Sequence, residues 1–236
     1  MRLFTFTFDI NHILFDDPSS VFHVLTENEK QLFRDHMEVR KYRKGEYICH
    51  TGDTPAGLFC LISGMAKICR EGAGGREYIF RMTQPNGLIG YLALFADQIY
   101  GASAKAIEDS AAVIIDRETL FDLLRTNSEL SIRFHKSLST ELSFSYFRTM
   151  TLTRKQIPAR LAETLIFLRD TYGLEDDAAL KVRLSREDIA NLSNMSTSNA
   201  IRTLSSFAGD KLIGLEGKRI KLLDIAGLEE ISGRAN

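Results

Sequence analysis

Cysteine is scarce in this sequence, and long apolar runs are absent. The only cysteines among the 236 residues are Cys49, Cys60 and Cys69, and such an odd, scattered set argues against a disulfide framework and suits a reducing cytoplasm. No stretch approaches the roughly 20 apolar residues that span a bilayer. The apolar N-terminus is interrupted by Asp9 and lacks a small-residue cleavage site, which argues against a signal peptide. We therefore expect a cytoplasmic protein that does not contact a membrane.

An excess of charge of one sign is also missing. The chain has 30 Lys and Arg against 31 Asp and Glu, a net charge of -1, and residues 154–236 hold 13 cations against 12 carboxylates. This balance gives no global attraction to nucleic acid, so any basic footprint must be local. The best candidates for it lie near the end of the chain: Lys211, Lys218, Arg219 and Lys221.

Clustered metal ligands are lacking as well. The chain has five histidines, and its glycine-rich part holds only His50, without a His-x-His pair. Metal-dependent enzymes of the cupin type need clustered His and carboxylate ligands on adjacent strands of a jelly roll. The sequence therefore makes a cupin-like enzyme only a remote possibility for the function of this chain, and we predict neither a catalytic site nor a metal site.

Glycine placement divides the chain into two parts. Ten of the 16 glycines lie between Gly45 and Gly101, and none lies between Ala102 and Tyr172. The glycine-rich part contains short β-like runs separated by turns such as Gly72–Gly75, a spacing typical of a β-sandwich or jelly-roll barrel. The runs are Glu46–Cys49, Leu58–Ile62, Ala66–Arg70, Glu77–Met82 and Ala111–Ile115. A helix over Thr26–Met37 is expected to precede them, with a capping box that begins at Thr26.

The glycine-free part is predicted to be helical. Asp116 can cap a short helix that runs through Arg125, and residues 129–151 permit one long helix of roughly 35 Å. A heptad-like spacing along the long helix indicates a dimerisation seam, with a plain core helix as the alternative. The seam positions are Leu138, Leu142, Ser145, Thr149 and Leu152. A further helix is expected over Ile157–Tyr172, followed by an acidic loop over Gly173–Ala179.

The segment Leu184–Ile213 has the pattern of two helices joined by a tight turn. Ser185 can cap the first helix and Ser196 the second. The second helix has an apolar stripe, and its other face carries small or hydrogen-bonding side chains, which is what a DNA major groove can accept. The stripe is Ala200, Leu204 and Phe207, and the other face is Thr197, Ser198, Asn199, Arg202 and Ser206. A predicted hairpin, Leu212–Leu215 with Arg219–Leu222, and a helix near Ala226–Ile231 complete a winged helix-turn-helix.

The order of these parts resembles the Crp/Fnr family of bacterial transcription regulators. The segments KGEYICHTGD, GLFCLISGMAKI, GGREYIFRM and NGLIGYLALF look like the family's strand-turn units, and LSREDIANLSNMSTSNAIRTLSSF looks like its helix-turn-helix. The resemblance implies an α+β protein with an N-terminal jelly-roll β-barrel of the cyclic-nucleotide-binding type, a long dimerisation helix and a C-terminal winged helix-turn-helix. We place these parts at residues 1–128, 129–153 and 154–236. A homodimeric, sequence-specific regulator controlled by an effector in the barrel is expected.

The residues that hold cyclic AMP in this family are replaced here. Cyclic-AMP-binding members have a Gly-Glu-Leu turn and an Arg-Ser-Ala segment. This chain reads Gly90-Tyr91-Leu92 at the first, and at the second Ala102-Ser103-Ala104, or Gly101-Ala102-Ser103 when no gap is allowed. Tyr91 puts a phenol where those members have the ribose-binding carboxylate, and the arginine that pairs with the cyclic phosphate is missing. Lys105 is nearby in sequence but is displaced from the position of that arginine. Each lost hydrogen bond to a charged group removes about 1.5–3 kcal/mol, so we expect no tight binding of cyclic AMP.

The resemblance leaves other effectors open. Ser145 and Tyr146 align with positions that face the effector across the dimer in cyclic-AMP-binding members. Beside Tyr91 they would suit an uncharged or weakly polar ligand, or would close the pocket with none. Three cysteines are too few for an all-cysteine iron–sulfur cluster, which we do not expect. Haem, bound through His50, His135, Cys60 or a methionine, stays a candidate cofactor. A thiol redox switch is the alternative to plain packing of the cysteines.

Roles for the recognition helix follow from the same resemblance. Arg202 is expected to read guanine and Asn199 adenine, Ile201 to contact a thymine methyl, and the helix N-terminus to contact phosphate. The predicted DNA contacts are Ser185, Ser196, Thr197, Ser198, Asn199, Ile201, Arg202, Lys218 and Arg219. The expected partners are a near-palindromic duplex with half-sites about 34 Å apart, a second copy of the chain and, as a further candidate, RNA polymerase. A winged helix that binds protein is the alternative.

Overall fold

The computed structural model describes residues 9–72 and 77–233, apart from the side chains at 147, 148 and 150–154. The chain divides into two compact units, Met1–Leu142 and Ser143–Asn236. Most of the predicted turn Gly72–Gly75 and the side chain of the seam residue Leu152 lie outside the described residues.

Two four-stranded antiparallel sheets build the first unit. One sheet has the order β1-β8-β3-β6 and the other has the order β2-β7-β4-β5. The strands are β1 (Met37–Tyr42), β2 (Tyr47–Cys49), β3 (Gly57–Ser63), β4 (Ala66–Glu71), β5 (Glu77–Thr83), β6 (Leu88–Ile89), β7 (Ser103–Ala106) and β8 (Ser110–Asp116). This arrangement confirms the predicted N-terminal β-barrel.

Four α-helices among the described residues belong wholly or partly to this unit, and a π-helical turn (His12–Asp16) and a 3-10 turn (Val21–Val24) precede them. The α-helices are α1 (Glu27–Asp35), α2 (Tyr91–Phe95), α3 (Arg117–Thr126) and the long α4 (Ser128–Arg154), which continues into the second unit. The capping box of Thr26 and Glu29 is present, as is the cap of α3, where the Asp116 side chain accepts from the amide of Thr119. Local hydrogen bonds therefore set both helix starts.

The predicted helix Thr26–Met37 is wrong at its end. Helix α1 stops at Asp35, and Met37 instead begins β1, which pairs with β8 from Met37 opposite Ile115 to Tyr42 opposite Ser110. Strand β1 is an edge strand with four exposed residues in its interior. Its sequence therefore lacks the apolar alternation that identifies a half-buried strand.

Strand β3 is buried on both faces and separates two apolar clusters. Leu58, Cys60 and Ile62 point into one cluster, which also contains residues of helices α2, α3 and α4. Phe59 and Leu61 point into the other, which we call the barrel cluster because it joins residues of the two sheets. Successive side chains of a strand point to opposite faces, so β3 reads as a continuous apolar run.

The second unit contains the predicted winged helix-turn-helix, which is confirmed. Its elements are α5 (Ile157–Tyr172), α6 (Arg186–Leu192), α7 (Thr197–Gly209), the hairpin of β9 (Ile213–Glu216) and β10 (Arg219–Leu222), and α8 (Ile225–Ser232). Asn194 turns the chain between α6 and α7 with a φ of 50°, and its carbonyl accepts from the Arg160 guanidinium at 3.0 Å. Helix α5 therefore supports the turn of the helix-turn-helix directly.

Candidate DNA interface and effector site

Helix α7 has one packed face and one exposed face, as the sequence predicted. The Ser196 hydroxyl caps it by accepting from the amide of Asn199 at 3.2 Å. Ala200, Leu204 and Phe207 are buried. The exposed residues at the start of the helix are Ser196, Thr197, Ser198, Ile201 and Arg202. A ligand can therefore approach this end of the helix without displacing any core side chain.

Arg202 and Asn199 form a hydrogen-bonded pair on that exposed face. The Arg202 guanidinium donates to the Asn199 side-chain oxygen at 2.7 Å. The pair restricts the guanidinium and uses the carbonyl oxygen of Asn199, so the two side chains act together. Ile201 lies between them in sequence with 48% of its surface exposed, as an apolar neighbour of the pair. The spacing of three residues on a helix is the sequence signal that could have revealed the pair.

Ser185 has a structural contact that accounts for its side chain. Its hydroxyl accepts from the amide of Asp188 at 2.9 Å and lies 2.6 Å from the Asp188 carboxylate, which fixes the start of α6. Next to it, the Arg186 guanidinium donates to the carbonyl of Gly217 at the tip of the hairpin, at 2.8 Å. This hydrogen bond joins the wing to α6.

The positive charges of the wing are largely engaged within the protein. The Arg219 guanidinium lies 2.5 Å from Glu175, 3.0 Å from Asp177 and 3.2 Å from Glu216. Lys221 pairs with Asp177 at 3.1 Å and with Glu216 at 2.7 Å, and its hydrogen bond lowers the pKa of both carboxyls. The acidic loop after α5, together with Glu216 on β9, thus neutralises two of the four cations that were expected to attract DNA.

The local basic footprint is consequently smaller than the sequence indicated. Arg219 is held by three carboxylates, so it is not poised for the phosphate contact predicted for it. Lys211 and Lys218 are exposed beside the hairpin. These two lysines are the exposed positive charges of the predicted footprint, and their contact with DNA stays a prediction.

The turn that replaces the family's Gly-Glu-Leu is built around a glycine that the fold requires. Gly90 has a φ of +86°, and a Cβ at this position would lie 2.8 Å from the Tyr100 ring. Tyr91 follows it and is 3% exposed within the cluster shared with the helices. The Arg81 guanidinium lies 5.5 Å from the centre of the Tyr91 ring. Tyr91 is therefore a packed aromatic residue in contact with a cation.

The segment that replaces Arg-Ser-Ala splits across β7. Ala104 belongs to the barrel cluster, whereas the Ser103 hydroxyl accepts from the amide of Thr51 at 2.9 Å. Lys105 lies on the other face of the strand from Ala104, with its ammonium 4.9 Å from the centre of the Tyr47 ring. Lys105 therefore does not replace the missing arginine inside the barrel.

Leu92, the third residue of the Gly90 turn, is exposed.

Helix α4 carries both exposed residues and a direct link to the barrel. Ser145 and Tyr146, which were predicted to face the effector, are exposed, with 65% of the Tyr146 surface accessible. Glu141 instead contacts the barrel, because its carboxylate lies 3.1 Å from the Arg81 Nε on β5. Arg81 also donates to the carbonyl of Leu88, just before the Gly90 turn. Arg81 thus joins the strand before the Gly90 turn to α4, a contact between distant residues that no sequence pattern indicated.

The candidate ligands for haem and for a thiol switch are distributed over several elements of the first unit. His50 stacks against Tyr47 on β2, and His135 contacts the carbonyl of Ser131 on α4. Burial raises the pKa of Cys49 to about 11 and that of Cys60 to about 12. Within residues 9–72 and 77–233, no three His, Cys, Asp or Glu side chains come together as a metal site. The cysteines therefore resemble packed apolar residues more than reactive thiols.

Comparison with known proteins places both halves of the chain in one family. The cyclic nucleotide-binding domain matches residues 39–127, and the Crp-like helix-turn-helix domain matches residues 159–231. The chain is 29% identical over 185 residues to the CRP-like cAMP-activated global transcriptional regulator of Mycobacterium tuberculosis, which covers 78% of this chain and 83% of that protein. It is 28% identical over 198 residues to the transcriptional activator protein FnrA of Stutzerimonas stutzeri, covering 83% and 81%.

Solved structures agree on the fold. FixK2 from Bradyrhizobium japonicum superposes with a TM-score of 0.74 at 21% identity, over 83% of this chain and 96% of that one. Among the described residues, no helix is both long and apolar enough to cross a membrane. The relatives are regulators and not enzymes, which removes the cupin-like alternative. The chain belongs to the Crp/Fnr family of DNA-binding transcription regulators.

Proposed function

We propose that this regulator binds a near-palindromic DNA site as a homodimer through the exposed face of α7. The supporting observation is the geometry of that helix, whose apolar side is buried while Thr197, Ser198 and the Asn199–Arg202 pair are accessible. Arg202 can pair with the O6 and N7 of guanine, and Ile201 can contact a thymine methyl. Ser196 and Thr197 lie at the helix N-terminus, where phosphate is favoured. Lys218 adds a phosphate contact from the wing.

Helix α4 supports the dimeric state. Phe144 stacks on Phe167 of α5, with ring centres 5.0 Å apart. Leu142 and Tyr146 lie on another side of α4 and are more than half exposed. Leu142 and Tyr146 are each two residues from the packed Phe144, and both remain uncovered in the single chain. A second copy of α4 would bury them. Leu138, which was also predicted for the seam, packs instead against the core cluster of the first unit. We assign the seam to Leu142, Ser145 and Thr149, with the dimerisation helix at residues 129–153 between an effector domain and a DNA-binding domain.

Control by a small effector in the barrel domain is the second part of the proposal. The absent carboxylate and arginine argue against cyclic AMP, and Lys105 lies on the wrong face of β7 to compensate. The contact from Arg81 to Glu141 supplies a physical route by which a change at the Gly90 turn reaches α4. The effector would shift α4 between arrangements that fit DNA and arrangements that do not. The expected setting is the cytoplasm, with RNA polymerase as a candidate partner.

Sedimentation analysis of the purified protein, with and without a selected DNA duplex, tests this function. We expect a dimer that binds one duplex, and a Leu142→Asp variant that is monomeric and loses most of its DNA affinity. Ile132→Asp, an exposed apolar position nearer the start of α4, is the matched control and should remain dimeric. A monomer that binds the same DNA equally well would contradict the homodimer, and calorimetric binding of cyclic AMP at micromolar concentration would contradict the exclusion of that ligand.

A further inference from the structure

The barrel cluster is apolar but contains two phenols. Its buried members include four alanines, and the largest side chains among them are Phe59 and Tyr100. Tyr42 packs against the cluster from the end of β1. Ligand sites in proteins have this composition, because apolar walls supply most of the contact and a few polar groups fix the orientation.

Tyr100 is held in place by its backbone. Its amide donates to the carbonyl of Asp53, and its carbonyl accepts from the amide of Gly52, both at 2.9 Å. The ring lies directly against Gly90, where even a methyl group would collide with it. Tyr100 is only 5% exposed, so its hydroxyl lies inside the protein and not at the surface.

Among the described residues, the hydroxyl of Tyr100 has no hydrogen-bond partner. The Tyr42 hydroxyl is approached by the Arg40 guanidinium, which can only donate, so the O–H of Tyr42 also lacks an acceptor. Besides burial, the Cys49 thiol helps to raise the pKa of both phenols, and Tyr42 helps to raise that of Tyr100, so the three groups lie near one another. A buried donor without an acceptor is unfavourable, and proteins rarely retain one without a partner from outside the chain. Two such donors in one cluster indicate a site for an acceptor atom.

We propose that the barrel interior binds a small, uncharged and largely apolar molecule whose hydrogen-bond acceptor is held by the hydroxyls of Tyr42 and Tyr100. The site lies beside Cys49 and behind Gly90, so its occupation bears directly on the effector turn. This inference rests on the proposed function, since it assigns the chemistry of the effector.

The charges around the site favour an uncharged ligand. Burial and the negative charge of Asp53 raise the pKa of Tyr100, which shows that negative charge is disfavoured there. The Arg40 guanidinium acts on Tyr42 but is already bound by both carboxylate oxygens of Glu38, at 3.0 and 2.8 Å. An anion would therefore enter without a free cation to receive it, whereas a ketone or ether oxygen needs only the two hydroxyl donors.

Binding of cyclohexanone to the full-length protein tests the proposal, with methylcyclohexane as the probe that lacks an acceptor. Saturation-transfer NMR should show saturable binding of cyclohexanone and at least tenfold weaker binding of methylcyclohexane. Tyr100→Phe and Tyr42→Phe should each weaken cyclohexanone binding at least fivefold. Tyr78→Phe, at an exposed position on β5, is the matched control and should have no effect. Equal binding of the two probes, or unchanged binding in both phenylalanine variants, would overturn the proposal.

Two further readouts separate this site from its alternatives. Without probe, the thermal midpoint of Tyr100→Phe should equal or exceed that of the parent protein, because the hydroxyl has no partner to lose. A lower midpoint would mean that the hydroxyl binds a structural water, and would overturn the proposal. DNA affinity without probe should be unchanged in all three variants, so that a failed ligand site with intact DNA binding is distinguished from a failed regulator.

Discussion

Removal of the Arg202 guanidinium is expected to weaken binding to the preferred DNA site by about 5- to 140-fold. This range corresponds to the loss of about 1–3 kcal/mol for a bidentate contact with guanine. The side chain is exposed at the accessible end of α7, so Arg202→Ala leaves the buried stripe of Ala200, Leu204 and Phe207 untouched. The effect should therefore appear in DNA binding and not in the free energy of unfolding.

Asn199 should account for part of this effect. Its side-chain oxygen accepts from the guanidinium at 2.7 Å, and a typical hydrogen bond contributes about 0.5–1.5 kcal/mol. Asn199→Ala should then cost about 2- to 12-fold in affinity and relax the preference at the base pair read by Arg202. The double variant should lose less than the product of the two single effects, because both act on one contact.

Fluorescence anisotropy on the preferred duplex and on its single-base variants measures these effects. Arg202→Ala should lower the affinity for the preferred site and equalise the four bases at one position. Ser205→Ala, exposed one turn further along α7, is the matched control and should change neither quantity. A uniform loss on every sequence, accompanied by a smaller salt dependence, would identify Arg202 as a phosphate contact and refute this reasoning.

Three further predictions concern charge, stability and thiol reactivity. Lys218→Ala should reduce the slope of log affinity against log salt by about one, whereas Arg219→Ala should leave it unchanged because three carboxylates already bind that cation. Asp116→Ala should lower the free energy of unfolding by about 0.5–2 kcal/mol in denaturant titration. Burial raises the pKa of the Asp116 carboxyl, but the hydrogen bonds from Thr119 lower it by more, so the pKa is lower in the folded protein than in the unfolded chain. The stabilisation by Asp116 should therefore be present above about pH 4 and be lost in more acidic solution. The three buried cysteines should react with a thiol reagent at pH 8 only at the rate of unfolding, and fast labelling of the folded protein would contradict their burial.

Features set by neighbouring residues could be predicted from the sequence. The caps at Thr26, Asp116, Ser185 and Ser196 are all present, because each depends on a hydrogen bond to an amide two or three residues ahead. The bounds of Ile157–Tyr172 also agree with the structure, since Pro158 and Gly173 mark its two ends. Such local signals need no knowledge of the tertiary structure.

Features set by distant residues could not be predicted. Strand β6 has two residues and exists only because it pairs with β3, while β1 is a charged edge strand. The ion pairs of Arg219 with Glu175 and Asp177 join residues more than 40 positions apart, so the sequence showed the charges but not their neutralisation. The faces toward which Tyr91 and Tyr100 point depend on how the Gly90 turn packs, and the spacing of residues carries no information about that.

Selection of DNA sites from a random duplex library by the purified protein tests the central claim most directly. The account predicts an enriched, two-fold symmetric site whose half-sites are about 10 base pairs apart, with a conserved guanine that disappears when Arg202→Ala is used for the selection. Enrichment of no sequence, or of an asymmetric single half-site by the intact protein, would contradict a homodimer that reads DNA through α7.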